Sequence, residues 1–185
     1  MSVGDIFEKS LSGVEEYVAL ATVDAEHYQQ TNIDLVKFLT EVDETPGVYV
    51  TLNKPFSTME DLFKKNSVNT DMIIFIDAVT RTTGGSTEKT NKCLFIGSPE
   101  NLSDVSLAMD QAVRAIPGEK KFLFFDSLST LLIYNKPITV AKFIHFLSGK
   151  MRMWRVKGII ISLEKESDKE LLSELSQFCD IRLDL

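Results

Sequence analysis

Asp126 and Ser127 are the residues of this chain most suggestively placed for chemistry. They end the apolar run Phe122 to Phe125, a pattern that reads as a strand buried on both faces. An acid and a hydroxyl at the carboxyl end of such a strand lie where open α/β sheets collect their ligands. The same two residue types also suit a plain cap on the turn that follows. The other strand-end positions that could meet a ligand are Thr22 to Thr31, the pair Asn53 and Lys54, Asp77 and Glu164.

A second constellation precedes the first helix of the body. Glu16 to Thr22 reads as a buried strand, and Ile33, Leu35, Val36, Phe38 and Leu39 recur at helical spacing, with Thr31 or Asn32 as candidate cap. Strand, loop and helix in that order are the layout of a phosphate-binding unit. The loop chemistry differs: a phosphate cradle needs the pattern GxxxxGK followed by Ser or Thr, so that backbone amides and a lysine meet the anion. The eight residues ending at Thr31 are DAEHYQQT. Asp24 and Gln29 replace the glycines, Gln30 replaces the lysine, and Asp24 with Glu26 repels a triphosphate. Thr31 alone fits the pattern.

Arg152, Trp154 and Arg155, with Lys150 and Lys157, form a basic and aromatic cluster after a long helix. Such a cluster can grip a single nucleic-acid strand or lend an arginine to a neighbour's nucleotide; cations at a helix C-terminus beside a packed aromatic are the plainer reading. His145 reads as a helical surface or packing residue, since no nucleophile or carboxylate accompanies it in sequence. Cys93 and Cys179 lie in apolar strand-like contexts and suit reduced core residues. With His27 and His145 the only histidines, no zinc-type ligand spacing exists.

The elements that must position these groups alternate. A leading helix falls within residues 1–14, running from Ser2 to Leu11. Strands are expected at Glu16–Thr22, Gly47–Leu52, Asp71–Asp77, Cys93–Ile96, Phe122–Asp126, Gly158–Leu163 and Asp180–Leu185. Helices are expected from Thr31 or Asn32, from Ser57 or Thr58 to about Lys65, and over Leu102–Ala115, Ile138–Met153 and Asp168–Phe178. The polar stretch 78–92, with Gly84 and Gly85 adjacent, reads as a flexible loop or hairpin. Strands alternating with amphipathic helices predict a three-layer α/β/α sandwich with a mainly parallel central sheet.

At 185 residues the chain suits a single domain. Its 44% apolar and 25% charged residues are those of a soluble globular protein. A net charge of −7 argues against a general nucleic-acid binder. No apolar run is long enough for a membrane span, and the first ten residues lack the basic and apolar segments of a secretory signal. A cytoplasmic location is the expectation.

The series GVYVTLNKP, DMIIFIDA, KFLFFDSLSTLL and GIIISLEKE through CDIRLDL resembles, in order and spacing over about residues 15 to 185, the RecA-type ATPases of the KaiC-like branch. The resemblance implies a RecA/P-loop NTPase-like fold, with Asp126 matching the aspartate that orders Mg²⁺ and water beside the γ-phosphate, and Ser127 the hydroxyl residue after it. An acidic pair is normally found where Asn53 and Lys54 stand, and neither of these can take a proton from water as a carboxylate would. Family members often form rings, so self-association is also implied. The expectation is a non-catalytic member working as a regulatory or scaffold protein through protein contacts, needing no cofactor. Thr31, Asp126 and Ser127 would be a vestigial nucleotide pocket, with Mg²⁺ on Asp126 if ATP binds. Arg152, Trp154 and Arg155 are interaction candidates. The alternatives are an ATPase with relocated phosphate contacts, using Lys54 or an arginine supplied between subunits, and a nucleic-acid-associated recombinase paralogue.

Overall fold

The computed structural model describes residues 3–88, 90–163 and 169–185. In chain order these form α1 (Val3–Leu11), β1 (Tyr17–Val23), α2 (Tyr28–Lys37), β2 (Gly47–Thr51), α3 (Phe56–Lys65), β3 (Ile73–Asp77), β4 (Cys93–Phe95), α4 (Leu102–Ala115), β5 (Phe122–Asp126), α5 (Leu128–Tyr134), α6 (Pro137–Met153), β6 (Lys157–Leu163), α7 (Lys169–Ser176) and β7 (Ile181–Asp184). Ser2, Glu164 and Asp168, each named in an expectation above, lie outside the described residues, as does position 89 of the 78–92 stretch.

The seven strands form one parallel sheet in the order β4-β3-β2-β5-β6-β1-β7. The central strands are apolar along their length because helices cover both faces. Side chains alternate between two cores with period two. Leu123 and Phe125 of β5 join Val48 and Val50 of β2 in the core beneath α4 to α7. Phe122 and Phe124 of β5 join Tyr49 of β2 in the core beneath α1 to α3. By the same alternation Asp126 faces the α2 side. The expected three-layer α/β/α architecture is thus observed.

Two local features differ from expectation. α2 starts at Tyr28 rather than at Thr31 or Asn32: His27 closes the first turn by accepting the Thr31 amide at 2.9 Å. With no glycine to hold a wide loop open, the helix winds back toward β1. It then runs into a π-helical turn at Phe38–Val42, where the Thr40 hydroxyl bonds the Val36 carbonyl at 2.9 Å. The residues after Asp126 form an extra helix, α5. Ser127 enters it extended, and the Ser129 hydroxyl takes the Leu163 amide of β6 at 2.8 Å, anchoring α5 on the sheet. In the 78–92 stretch, the Thr82 and Thr83 hydroxyls bond the Val79 carbonyl, and Thr90 bridges Cys93 in an antiparallel sense. Among the described residues, no helix is long and apolar enough to cross a membrane.

Candidate functional site

β2 and β5 are neighbours in register, with Tyr49 opposite Phe124 and Thr51 opposite Asp126. The Tyr49 ring stacks on Phe124, centroids 5.0 Å apart. That stacking leaves the Tyr49 hydroxyl level with the end of β5, where it donates to Asp126 Oδ2 at 2.5 Å. α2 lies above the same ends, and Tyr28 in its first turn donates its phenol to Asp126 Oδ1. Asn53, just past β2, donates from Nδ2 to the Tyr28 oxygen at 2.7 Å and to Asp126 Oδ1 at 3.2 Å. The Thr130 hydroxyl of α5 donates to Asn53 Oδ1, and Ser127 Oγ lies 3.1 Å from Thr130 Oγ1. Asn32 Nδ2, one turn after Tyr28, reaches the Tyr49 hydroxyl at 3.4 Å.

Both Asp126 oxygens therefore accept hydrogen bonds from this chain's own side chains, and the carboxylate is 1% exposed. Burial pushes its pKa up; the Tyr28, Tyr49 and Asn32 side chains and the Lys54 charge draw it back without cancelling the rise. Burial and the neighbouring Asp126 carboxylate push both phenols well above the ordinary tyrosine range. The cavity left between Tyr28, Asn32, Lys54 and Asp126 measures about 10 Å³, close to the minimum for a single water. Lys54 points its ammonium at Gln29 Oε1, 2.7 Å away.

Of the residues singled out from sequence, Asp126, Ser127 and Asn53 meet in this network. Thr31 is buried in the first turn of α2, and its helix neighbours Tyr28 and Asn32 are the ones that reach the network. Asp77 ends β3 fully buried and has a different task. Its Oδ1 accepts the Val79 and Thr80 amides at 2.7 and 2.8 Å, and its Oδ2 accepts the Phe56 amide at 2.7 Å. It therefore fixes the start of α3 and the turn after β3. Tyr49 and Thr130 do not emerge from sequence reasoning, which names Asn32 only as a candidate cap and Tyr28 only as one position of the stretch Thr22 to Thr31. The available signal was the period of two in β2, which puts Tyr49 and Thr51 on one face.

The family of unknown function DUF7504 has a model that matches residues 23–185. The chain belongs to that family. No curated protein matches it. Among solved structures it is similar to an uncharacterized protein from Pyrococcus horikoshii, PH0321, crystallised in complex with an unknown peptide (10% identity, TM-score 0.73, 97% of this chain and 82% of that one). It is also similar to the KaiC-like protein PH0186 from the hyperthermophilic archaeon P. horikoshii (15%, 0.63, 92% and 72%) and to PH0250 from the same organism (15%, 0.59, 100% and 87%). At these identities the likeness establishes the RecA/KaiC-like fold.

The basic cluster of this DUF7504 chain is engaged within its own fold. Arg152 donates to Asp180 Oδ1 at 2.9 Å and to the Phe178 carbonyl at 2.8 Å. Trp154 donates its indole N–H to Asp110 Oδ1 at 3.1 Å, and Arg155 pairs with Glu16 at 3.1 Å. Among the described residues no group of three or more His, Cys, Asp or Glu side chains could hold a metal ion.

Proposed function

We propose that this chain is a non-catalytic RecA/KaiC-like domain with a degenerate P-loop, acting in the cytoplasm as a regulatory or scaffold protein through protein contacts. The observation that carries this reading is the closed network around Asp126. A carboxylate that is to order Mg²⁺ needs an open oxygen and room for phosphates, whereas Asp126 has both oxygens engaged beside a cavity of about 10 Å³. Small-molecule sites measure roughly 300 Å³ or more.

The residues present do not fit MgATP. The stretch after β1 has Asp24 and Gln29 in place of the glycines and Gln30 in place of the lysine, and the Asp24 and Glu26 carboxylates repel a triphosphate. The Asp24 side chain already accepts the Glu26 amide at 2.8 Å, and Lys54 is turned to Gln29. Without charge-assisted contacts, an anion as strongly hydrated as a triphosphate has little reason to leave water. The peptide held by the PH0321 structure supports, by likeness of fold, a use of this architecture in protein recognition. Free Cys93 and Cys179 suit a reducing compartment.

Isothermal calorimetry with Mg²⁺ and ATP or ADP tests the proposal, and no binding heat is expected. A dissociation constant of about 1 μM or tighter, with phosphate release that Asp126→Asn abolishes, would replace it with an ATPase reading.

A further inference from the structure

α4 and α6 lie on the same face of the sheet, and a groove of about 670 Å³ runs between them. Both of its ends are tied. At one, Asn135 donates to the Pro99 carbonyl at 3.4 Å; at the other, Trp154 donates to Asp110 at 3.1 Å. Between these ties the groove is walled by Leu107 and Phe146, 59% and 46% exposed, over a floor that includes buried Phe143. Large apolar side chains left in water on facing walls of one groove are characteristic of interaction sites.

The charge of the groove is opposite to that of the chain. Arg114, Lys142 and Lys150 line it against one carboxylate, Asp110, which already accepts from Arg114 and Trp154. Lys150 lies over the Phe146 and Trp154 rings at 5.6 and 5.8 Å, which holds its ammonium at the rim. The whole chain carries −7. A two-fold pairing of copies through this groove would set Lys142 and Lys150 against themselves, which disfavours a second copy as occupant.

We propose that the α4/α6 groove docks an amphipathic helical segment of a partner protein, with apolar anchors between Leu107 and Phe146 and acidic residues on its flanks facing Lys142 and Lys150. The inference rests on the protein-contact reading above and gives it a surface and a partner chemistry. α4 spans 14 residues, roughly 21 Å at 1.5 Å per residue. A helix of about fourteen to sixteen residues therefore covers the groove, with anchors at i, i+3, i+4 and i+7.

The test uses the full chain. A displayed library of random helical peptides of about sixteen residues is selected on the protein, and the enriched sequences are synthesised, labelled and titrated by fluorescence anisotropy. Enriched peptides are expected to combine that apolar spacing with Asp and Glu. Leu107→Lys and Phe146→Lys should each weaken binding about tenfold or more. Lys142→Glu with Lys150→Glu should reverse the preference, favouring a peptide whose acids are changed to lysines. Circular dichroism on each variant verifies the fold, since these positions are on the surface.

Peptides without an acidic bias, or binding that survives the Leu107 and Phe146 substitutions, would overturn the groove assignment and leave the protein-contact reading standing. So would a dimer in sedimentation that Phe146→Lys dissociates, or displacement of the peptide by a single-stranded oligonucleotide. Nucleotide calorimetry reports separately on the reading beneath it.

Discussion

Tyr28 donates its phenol to Asp126, 98 residues later in the chain, and so fastens the first turn of α2 to the end of the central strand. In a strand-loop-helix unit that binds phosphate, a wide loop stands between those two points. Here a side chain bridges them, and Tyr49 completes the bridge from below at 2.5 Å. The space above Asp126 is filled by the chain that encloses it.

Removing either hydroxyl should therefore cost stability. Tyr49→Phe leaves Asp126 Oδ2 without its donor, at a cost of about 1–3 kcal/mol, whereas Tyr28→Phe leaves Oδ1 with the Asn53 amide at 3.2 Å and should cost less. Because both act on Asp126, the double variant should depart from the sum of the two. Urea unfolding measures this as a lowered midpoint at unchanged slope. Midpoints equal to the wild type would show that the network contributes nothing to folding.

Asp126 also leaves a signature in the pH dependence of stability. Burial raises its pKa in the folded state above the ordinary value of 3.8. Between the unfolded and folded values the native state binds more protons, so the stability this group contributes is full in acid and is lost as pH rises through the folded pKa. Asp126→Asn cannot titrate. The stability of wild type relative to this variant should be greatest at low pH and fall as pH rises, read from urea midpoints of both proteins over a pH series. A difference that stays constant, or grows with pH, contradicts the assignment.

The tyrosines make a separate alkaline prediction. Tyr17, Tyr28 and Tyr49 are all raised above the usual 10.0, foremost by burial, with Asp43 acting on the first and Asp126 on the other two. These three of the chain's four tyrosines should stay protonated above pH 10 while the protein is folded. Stability should fall as pH rises past 10, since the unfolded chain releases those protons first. Phenolate absorbance should then appear together with loss of the far-ultraviolet circular dichroism. Smooth ionisation of all four before unfolding would refute it.

Asp43 and Lys157 form an ion pair between the end of the π-helical turn and the start of β6, with the Lys157 side chain 5% exposed. Removing one partner from a buried pair strands the other charge, so Asp43→Ala should cost about 3–5 kcal/mol. Lys157→Met in the same chain should recover most of that loss, because a thioether of similar length needs no counter-charge. Thermal unfolding of the single and double variants decides it. A double variant no more stable than Asp43→Ala would mean that Asp43 acts through another contact, such as its bond from the Thr45 hydroxyl at 2.9 Å.

The sheet was legible in the sequence because its strands are short apolar runs bounded by turn residues, and Phe122 to Asp126 could be read as buried before its neighbours were known. The filling of the site was not legible. Tyr49 reads as one more apolar strand residue until β2 is placed beside β5, and strand order is a property of the whole chain. The sequence places Tyr28 in a loop defined by the glycines it lacks; their absence is also why the helix starts early and carries Tyr28 inward. α5 is not legible because Leu128 to Tyr134 spans only about two turns, too short for the spacing of Leu128, Leu131 and Leu132 to establish a helical period. Its position depends on Ser129 capturing the Leu163 amide, a contact formed by tertiary packing.

Gly47 shows how closely β2 and β5 pack at the opposite end from Asp126. A methyl group there would lie 2.3 Å from the Phe122 ring, and Phe122 is fully buried beneath α1 to α3 with no free space to enter. Gly158 in β6 looks equally crowded, with Met151 Sδ 2.5 Å from the same added atom, but a methionine can rotate away. Gly47→Ala should therefore destabilise by about 1–3 kcal/mol through overpacking. Gly158→Ala should cost less, helped by the backbone freedom that alanine removes from the unfolded chain. Urea midpoints rank the two, and a larger loss at Gly158 would mean that Met151 is held as firmly as Phe122.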